Sequence, residues 1–129
     1  LIQTFNPDCL AIQTAKSHGY SDLFESEMLE RQIAGYPPYS RLVNIILSGS
    51  VRNQVQQCAE GLKQRLDECG LEYLGPADCA LELLNSKWRK HILVKLKPHE
   101  STGPVAQALL GFESPGVQVV ADVDPFSML

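Results

Sequence analysis

No run of about 18 apolar residues occurs in these 129 residues, so no segment reads as a membrane-spanning helix. No charged stretch followed by an apolar one opens the chain, and nothing reads as a signal peptide. The four cysteines, Cys9, Cys58, Cys69 and Cys79, form no C-x-x-C pair. His18, His91 and His99 are not spaced as zinc ligands, so no metal site is expected. A G-x-x-x-x-G-K-[ST] loop is missing, which excludes a P-loop nucleotide cradle. No Ser-His-Asp or Cys-His arrangement stands out, and no residue is assigned a catalytic role. Methionine does not open the chain; Leu1 does, which suggests a piece of a longer polypeptide.

What is present is ordinary for a globular protein: 44% hydrophobic and 20% charged residues. The length suits one compact domain with an appendage, able to bury roughly two-thirds of its unfolded surface without disulfides. The cysteines then read as small buried hydrophobes in a reducing cytosol. Net charge is −4, unevenly spread. Residues 1–40 hold Lys16 and Arg31 against Asp8, Asp22, Glu25, Glu27 and Glu30. Elsewhere the balance is nearly even, yet Lys87, Arg89, Lys90, Lys95 and Lys97 crowd one segment beside the only Trp, with no acid between them.

Residues 1–5 (LIQTF) read as a short strand before an Asn-Pro turn. Asp8 is placed to cap a helix running to about His18, with Ile12 and Ala15 inward. Ser21 or Asp22 caps the next helix, which carries Phe24 and Met28 on one stripe, Leu29 and Ile33 on another, and ends at Gly35. Pro37 and Pro38 forbid helix and mark a module boundary. Residues 41–48 form a β-branched strand. After Gly49-Ser50, the spacing of Val51, Val55, Cys58, Ala59, Leu62, Leu66 and Cys69 predicts a helix closed by Gly70. Residues 71–84 hold extended chain broken at Gly75-Pro76, residues 88–97 a strand, residues 101–112 a weaker helix entered at Pro104, and residues 117–124 a last strand. From residue 41 the order is β-α-β-β-α-β. The expected fold is α+β, an antiparallel sheet with two helices on one face, of ferredoxin-like type. Its other face is left for water or a partner.

Alternation along the basic strand puts Ile92, Val94 and Leu96 on the core. Arg89, His91, Lys95 and Lys97 then fall on the opposite face, about 6.7 Å apart between i and i+2 positions. That pattern suits a polyanion, with Trp88 available for stacking and Lys87 and Lys90 at the rim. The same lysines equally serve as edge protection. Gly49-Ser50 at a helix start is a weaker candidate for phosphate. Asp122 and Asp124 are too few for a cation site and are expected to be solvated or paired with lysines of a neighbouring strand.

Particular residues go further than periodicity. Ile2-Gln3-Thr4-Phe5-Asn6-Pro7 with Ala11-Ile12, then Glu27, Arg31 and Gly35-Tyr36-Pro37-Pro38-Tyr39, resemble segments of the primosomal protein N′ (PriA) family of bacterial replication-restart DNA helicases. Leu74-Gly75-Pro76-Ala77 and Asp122-Val123-Asp124-Pro125, followed by Ser127-Met128-Leu129, look like further marks of that family. Its basic-aromatic run is matched by Arg89 and Trp88, while Lys90 and His91 stand where the family has Trp and Gln.

The resemblance implies that residues 1–38 are the end of the second helicase lobe. Residues 39–129 would be a C-terminal DNA-binding domain similar in fold to a small-subunit ribosomal protein. It implies a cytoplasmic, non-catalytic module acting at replication forks, whose parent is an ATP-dependent 3′-to-5′ helicase with ATP/Mg and zinc sites upstream. Implied partners are forked or single-stranded DNA, single-strand DNA-binding protein (SSB), other primosome proteins and the helicase lobes. Lys87, Trp88, Arg89, Lys90, His91, Lys95 and Lys97 would carry the DNA contact. The alternatives are a domain that braces the lobe without touching DNA, and a small metabolite-binding α+β domain.

Overall fold

A computed structural model describes residues 2–127, in two compact units that divide between Tyr36 and Pro37. The first unit holds α1 (Leu10–Ser17) and α2 (Tyr20–Ala34). No strand forms at residues 2–5, and Leu1 lies outside the described residues. A lone strand leaves its backbone donors and acceptors without a ladder partner, and the described part of this unit contains only helices. The caps also differ from expectation. α1 starts after Cys9 and α2 after Gly19, neither with a side-chain cap. Ser21 and Asp22 therefore sit inside the first turn of α2, where Asp22 acts on the helix dipole. Thr14, rather than Ala15, is the buried residue of α1, its hydroxyl donating to the Leu10 carbonyl at 2.8 Å.

The second unit holds β1 (Arg41–Gly49), α3 (Arg52–Glu68), β2 (Glu72–Leu84), β3 (Lys87–Leu96), α4 (Gly103–Leu109) and β4 (Val117–Val123). Its four strands form one antiparallel sheet in the order β2-β3-β1-β4. One face of β1 and β3 supplies Val43, Ile45, Leu47, Ile92, Val94 and Leu96 to the core. Against them pack Val55, Cys58, Ala59, Leu62 and Leu66 of α3, and Val105 and Ala108 of α4. Fully burying each such Leu or Ile contributes about 1.5–3 kcal/mol. The three-four spacing read in α3 is thus its core stripe, except that Val51 is the exposed N-cap. α3 ends as Gly70 turns to φ +66°, with the Leu71 N–H donating to the Leu66 carbonyl at 3.1 Å.

Two boundaries depart from expectation. β2 is not broken at Gly75-Pro76 but runs through it, with the pairing register shifting between Leu74 and Ala77. Gly75 makes that possible: its φ is +103°, and a Cβ there would stand 2.9 Å from the His91 carbonyl oxygen. α4 is shorter than residues 101–112, because Leu110 is extended and Gly111 has φ +65°. Pro104 does lie in its first turn. Of the cysteines, Cys58 and Cys79 are buried, Cys69 is half-buried and Cys9 is exposed, so the buried reading fails for Cys9. No helix among the described residues is long and apolar enough to cross a membrane.

Candidate nucleic-acid interface

The β2–β3 hairpin places the basic segment. Its turn residues Asn85 and Ser86 have φ of 52° and 59°, the left-handed pair that matches the twist of a tight hairpin. From there β3 is held on both sides, by β2 and by β1. Its alternation therefore becomes a division between two surfaces.

Trp88 and Lys90 share parity with Ile92 and fall on the helix-covered face. Lys90 donates to Asp78 Oδ1 at 2.6 Å, and its side chain is only 14% exposed. This bond, helped by Arg52, holds the Asp78 carboxyl below the ordinary carboxylate range, against the opposing effect of burial. Arg52 in turn pairs with Glu82, reaches Asp78 at 4.0 Å and lies over the Trp88 ring at 5.0 Å. Trp88 packs against the core. These two residues brace β3 from behind.

Arg89, His91 and Lys95 project on the other face, with exposed Lys87 at the hairpin end. The row is not an even ladder. Leu93 between His91 and Lys95 is buried, as are Leu42 and Asn44 beside it on β1. Positive charge thus gathers at two ends about 20 Å apart, from 3.3 Å per residue between Arg89 and Lys95. At the far end Lys95 stands opposite Glu72 across the β2–β3 ladder. Lys97 lies just past β3, exposed, its backbone N–H donating to Glu100 Oε2 at 3.0 Å. In the middle, His91 Nδ1 is buried without a hydrogen-bond partner among the described residues.

At the hairpin end the face is concave. Ile46, Ser48, Leu84, Asn85, Lys87, Arg89 and Val120 line an open hollow of about 320 Å³. Ser48 sits between Arg89 and Gln118, and Ile46 between His91 and Val120. None of the five uncharged lining residues was singled out from sequence. The available signal was the parity of Ile46 and Ser48, out of step with Val43, Ile45 and Leu47.

Asp124 is not paired with a lysine. It accepts from Arg41, Nη2 to Oδ2 at 2.7 Å, which keeps its carboxyl below the ordinary range. Asp122 is exposed on β4. Among the described residues no group of three or more His, Cys, Asp or Glu is placed to hold a metal ion.

The family described as primosomal protein N C-terminal domain matches residues 32–126. The chain belongs to this family. Along all of its length it is 28% identical to the replication restart protein PriA of Treponema pallidum, of which it covers 20%. It is 26% identical to the Bacillus subtilis protein of the same name, again over its full length, covering 17% of that protein. Over 77% of the chain it is 30% identical to the Borreliella burgdorferi protein, of which 16% is covered. The chain spans about a fifth or less of these relatives.

Proposed function

We propose that this chain is the non-catalytic C-terminal part of a cytoplasmic replication-restart DNA helicase, and that its open sheet face binds the phosphates of single-stranded or forked DNA. The observation that carries this reading is the sorting of β3. In a chain of net charge −4, Lys87, Arg89 and Lys95 lie on the sheet face opposite α3 and α4, and Lys97 follows at its end. Such contacts hold a strand in place without reading its sequence, which suits recognition of fork structure. Trp88 and Lys90 act indirectly, by holding β3 in register. Family membership supports the helicase context. The β-α-β-β-α-β connectivity, with the last strand beside the first, is that of ferredoxin-like sheets. Residues 1–38 are read as the end of the second helicase lobe, and residues 39–129 as the DNA-binding domain. SSB, other primosome proteins and the helicase lobes are the protein partners under this reading, and ATP hydrolysis belongs to the rest of the parent.

A second reading has one observation of its own. Lys90 is spent on Asp78 and Lys95 faces Glu72, as in a domain that only braces its lobe. Fluorescence anisotropy of labelled single-stranded and forked DNA separates the two. Salt-sensitive binding that Arg89→Glu/Lys95→Glu loses is the expected result. Binding equal in wild type and variant, or absent from both, rejects the DNA-contact reading.

A further inference from the structure

The hollow at the hairpin end has a composition that phosphate contact alone does not require. Its floor and walls are apolar: Ile46 and Val120 side by side on β1 and β4, and Leu84 at the end of β2. Ser48 and Asn85 add a hydroxyl and an amide. Lys87 and Arg89 stand on one side. Leu84 and Val120 are 41% and 45% exposed, although both are large and apolar. A phosphate gains nothing from such walls. An unpaired nucleotide does, because its base has an apolar face and polar edges while its phosphate carries the charge.

We infer that this hollow seats one unpaired nucleotide of a DNA strand, its base against Ile46, Val120 and Leu84, its phosphate on Lys87 and Arg89. The inference rests on the DNA-binding reading above and adds a base-dependent part to it. Ser48 and Asn85 offer hydrogen bonds to a base edge or sugar, and the Arg89 guanidinium offers a plane for stacking. In a duplex, base faces are stacked on one another and cannot enter. The seat therefore favours single strands, and at a fork it favours the unpaired arm over the duplex arms.

Two ten-nucleotide strands of equal charge test this, one of thymidine nucleotides and one fully abasic, each titrated with the 129-residue chain by anisotropy. The thymidine strand should bind at least about fivefold tighter, the low end for one stacked base. Ser48→Leu fills the hollow without altering charge and should bring the two strands to equal affinity. Leu84→Ser removes one exposed wall and should do the same, and thermal melting confirms that each variant folds. Equal binding of both strands by wild type, with both lost in Arg89→Glu/Lys95→Glu, would leave a phosphate track and overturn the seat. A base preference that survives both variants would overturn it too. Failure of both strands to bind would reject the DNA-binding reading itself.

Discussion

Lys90 and Arg89 are adjacent, equally charged, and predicted to behave differently. The test is the salt dependence of DNA binding. Each phosphate neutralised on a single strand contributes about −0.7 to the slope of log K against log salt. With Lys87, Arg89, Lys95 and Lys97 engaged, the slope is about −2.8. Raising salt from 50 to 200 mM then weakens binding roughly 50-fold. Lys87→Ala/Arg89→Ala removes two contacts and should leave a slope of about −1.4, so the same salt step costs only about sevenfold. Lys90→Ala removes the same kind of charge but should keep a slope near −2.8, because its ammonium is 2.6 Å from Asp78 on the helix-covered face. Its cost falls on stability, by no more than about 1 kcal/mol, since Asp78 is partly exposed. Anisotropy titrations at four salt concentrations, with urea melts of each variant, supply both quantities. If Lys90→Ala flattens the slope as much as Arg89→Ala does, overall charge governs binding and the division of β3 into two faces has no functional meaning.

Three further outcomes follow from the fold. Asp78 and Asp124 are held below the ordinary carboxylate value of 3.8, so the unfolded chain takes up their protons first as pH falls; stability should be full near neutrality, decline from about pH 4 downward, and decline less steeply in Arg41→Ala, as followed by urea melts across that range. Gly75→Ala forces a side chain onto φ +103° and towards the His91 carbonyl, and should cost about 1–3 kcal/mol in a denaturant titration; an unchanged midpoint would mean that the β2 bulge relaxes freely. Iodoacetamide should label exposed Cys9 well before Cys58 and Cys79, whose thiols are buried and pushed up in pKa by desolvation, and mass spectrometry of the native chain would detect the reverse order.

Local signals in the sequence were reliable where a residue acts through its own backbone or its own element. Gly35 and Gly70 end helices because both adopt positive φ, and Pro104 opens one because its missing N–H is not needed in the first turn. Alternation through Ile92, Val94 and Leu96 correctly identified the core row of β3. Signals failed where the outcome depends on a distant partner. Residues 2–5 are apolar enough for a strand but have no described strand beside them. Leu93 has outward parity yet is buried, and no period of two in β3 reveals that. The pairing of Lys90 with Asp78 depends on a register set beyond an irregularity in β2. The hollow was invisible for the same reason: its lining comes from all four strands and the hairpin turn, and only the sheet order brings Ile46, Leu84 and Val120 together.

The crowding of cations on one strand of an acidic chain then has a physical account. A strand has two faces, so a basic run on it divides by parity into charges on the helix-covered face and charges on the opposite one. Inward-parity Lys90 is balanced by Asp78, and Arg52 by Glu82, within a network that fixes β3 against α3 and β2. Outward-parity Arg89 borders the hollow beside Lys87, and the five other residues lining it are uncharged. At physiological salt, charges farther away than about 8 Å are largely screened from one another. A polyanion held at the hollow therefore responds first to Lys87 and Arg89, which line it, rather than to the net charge of −4.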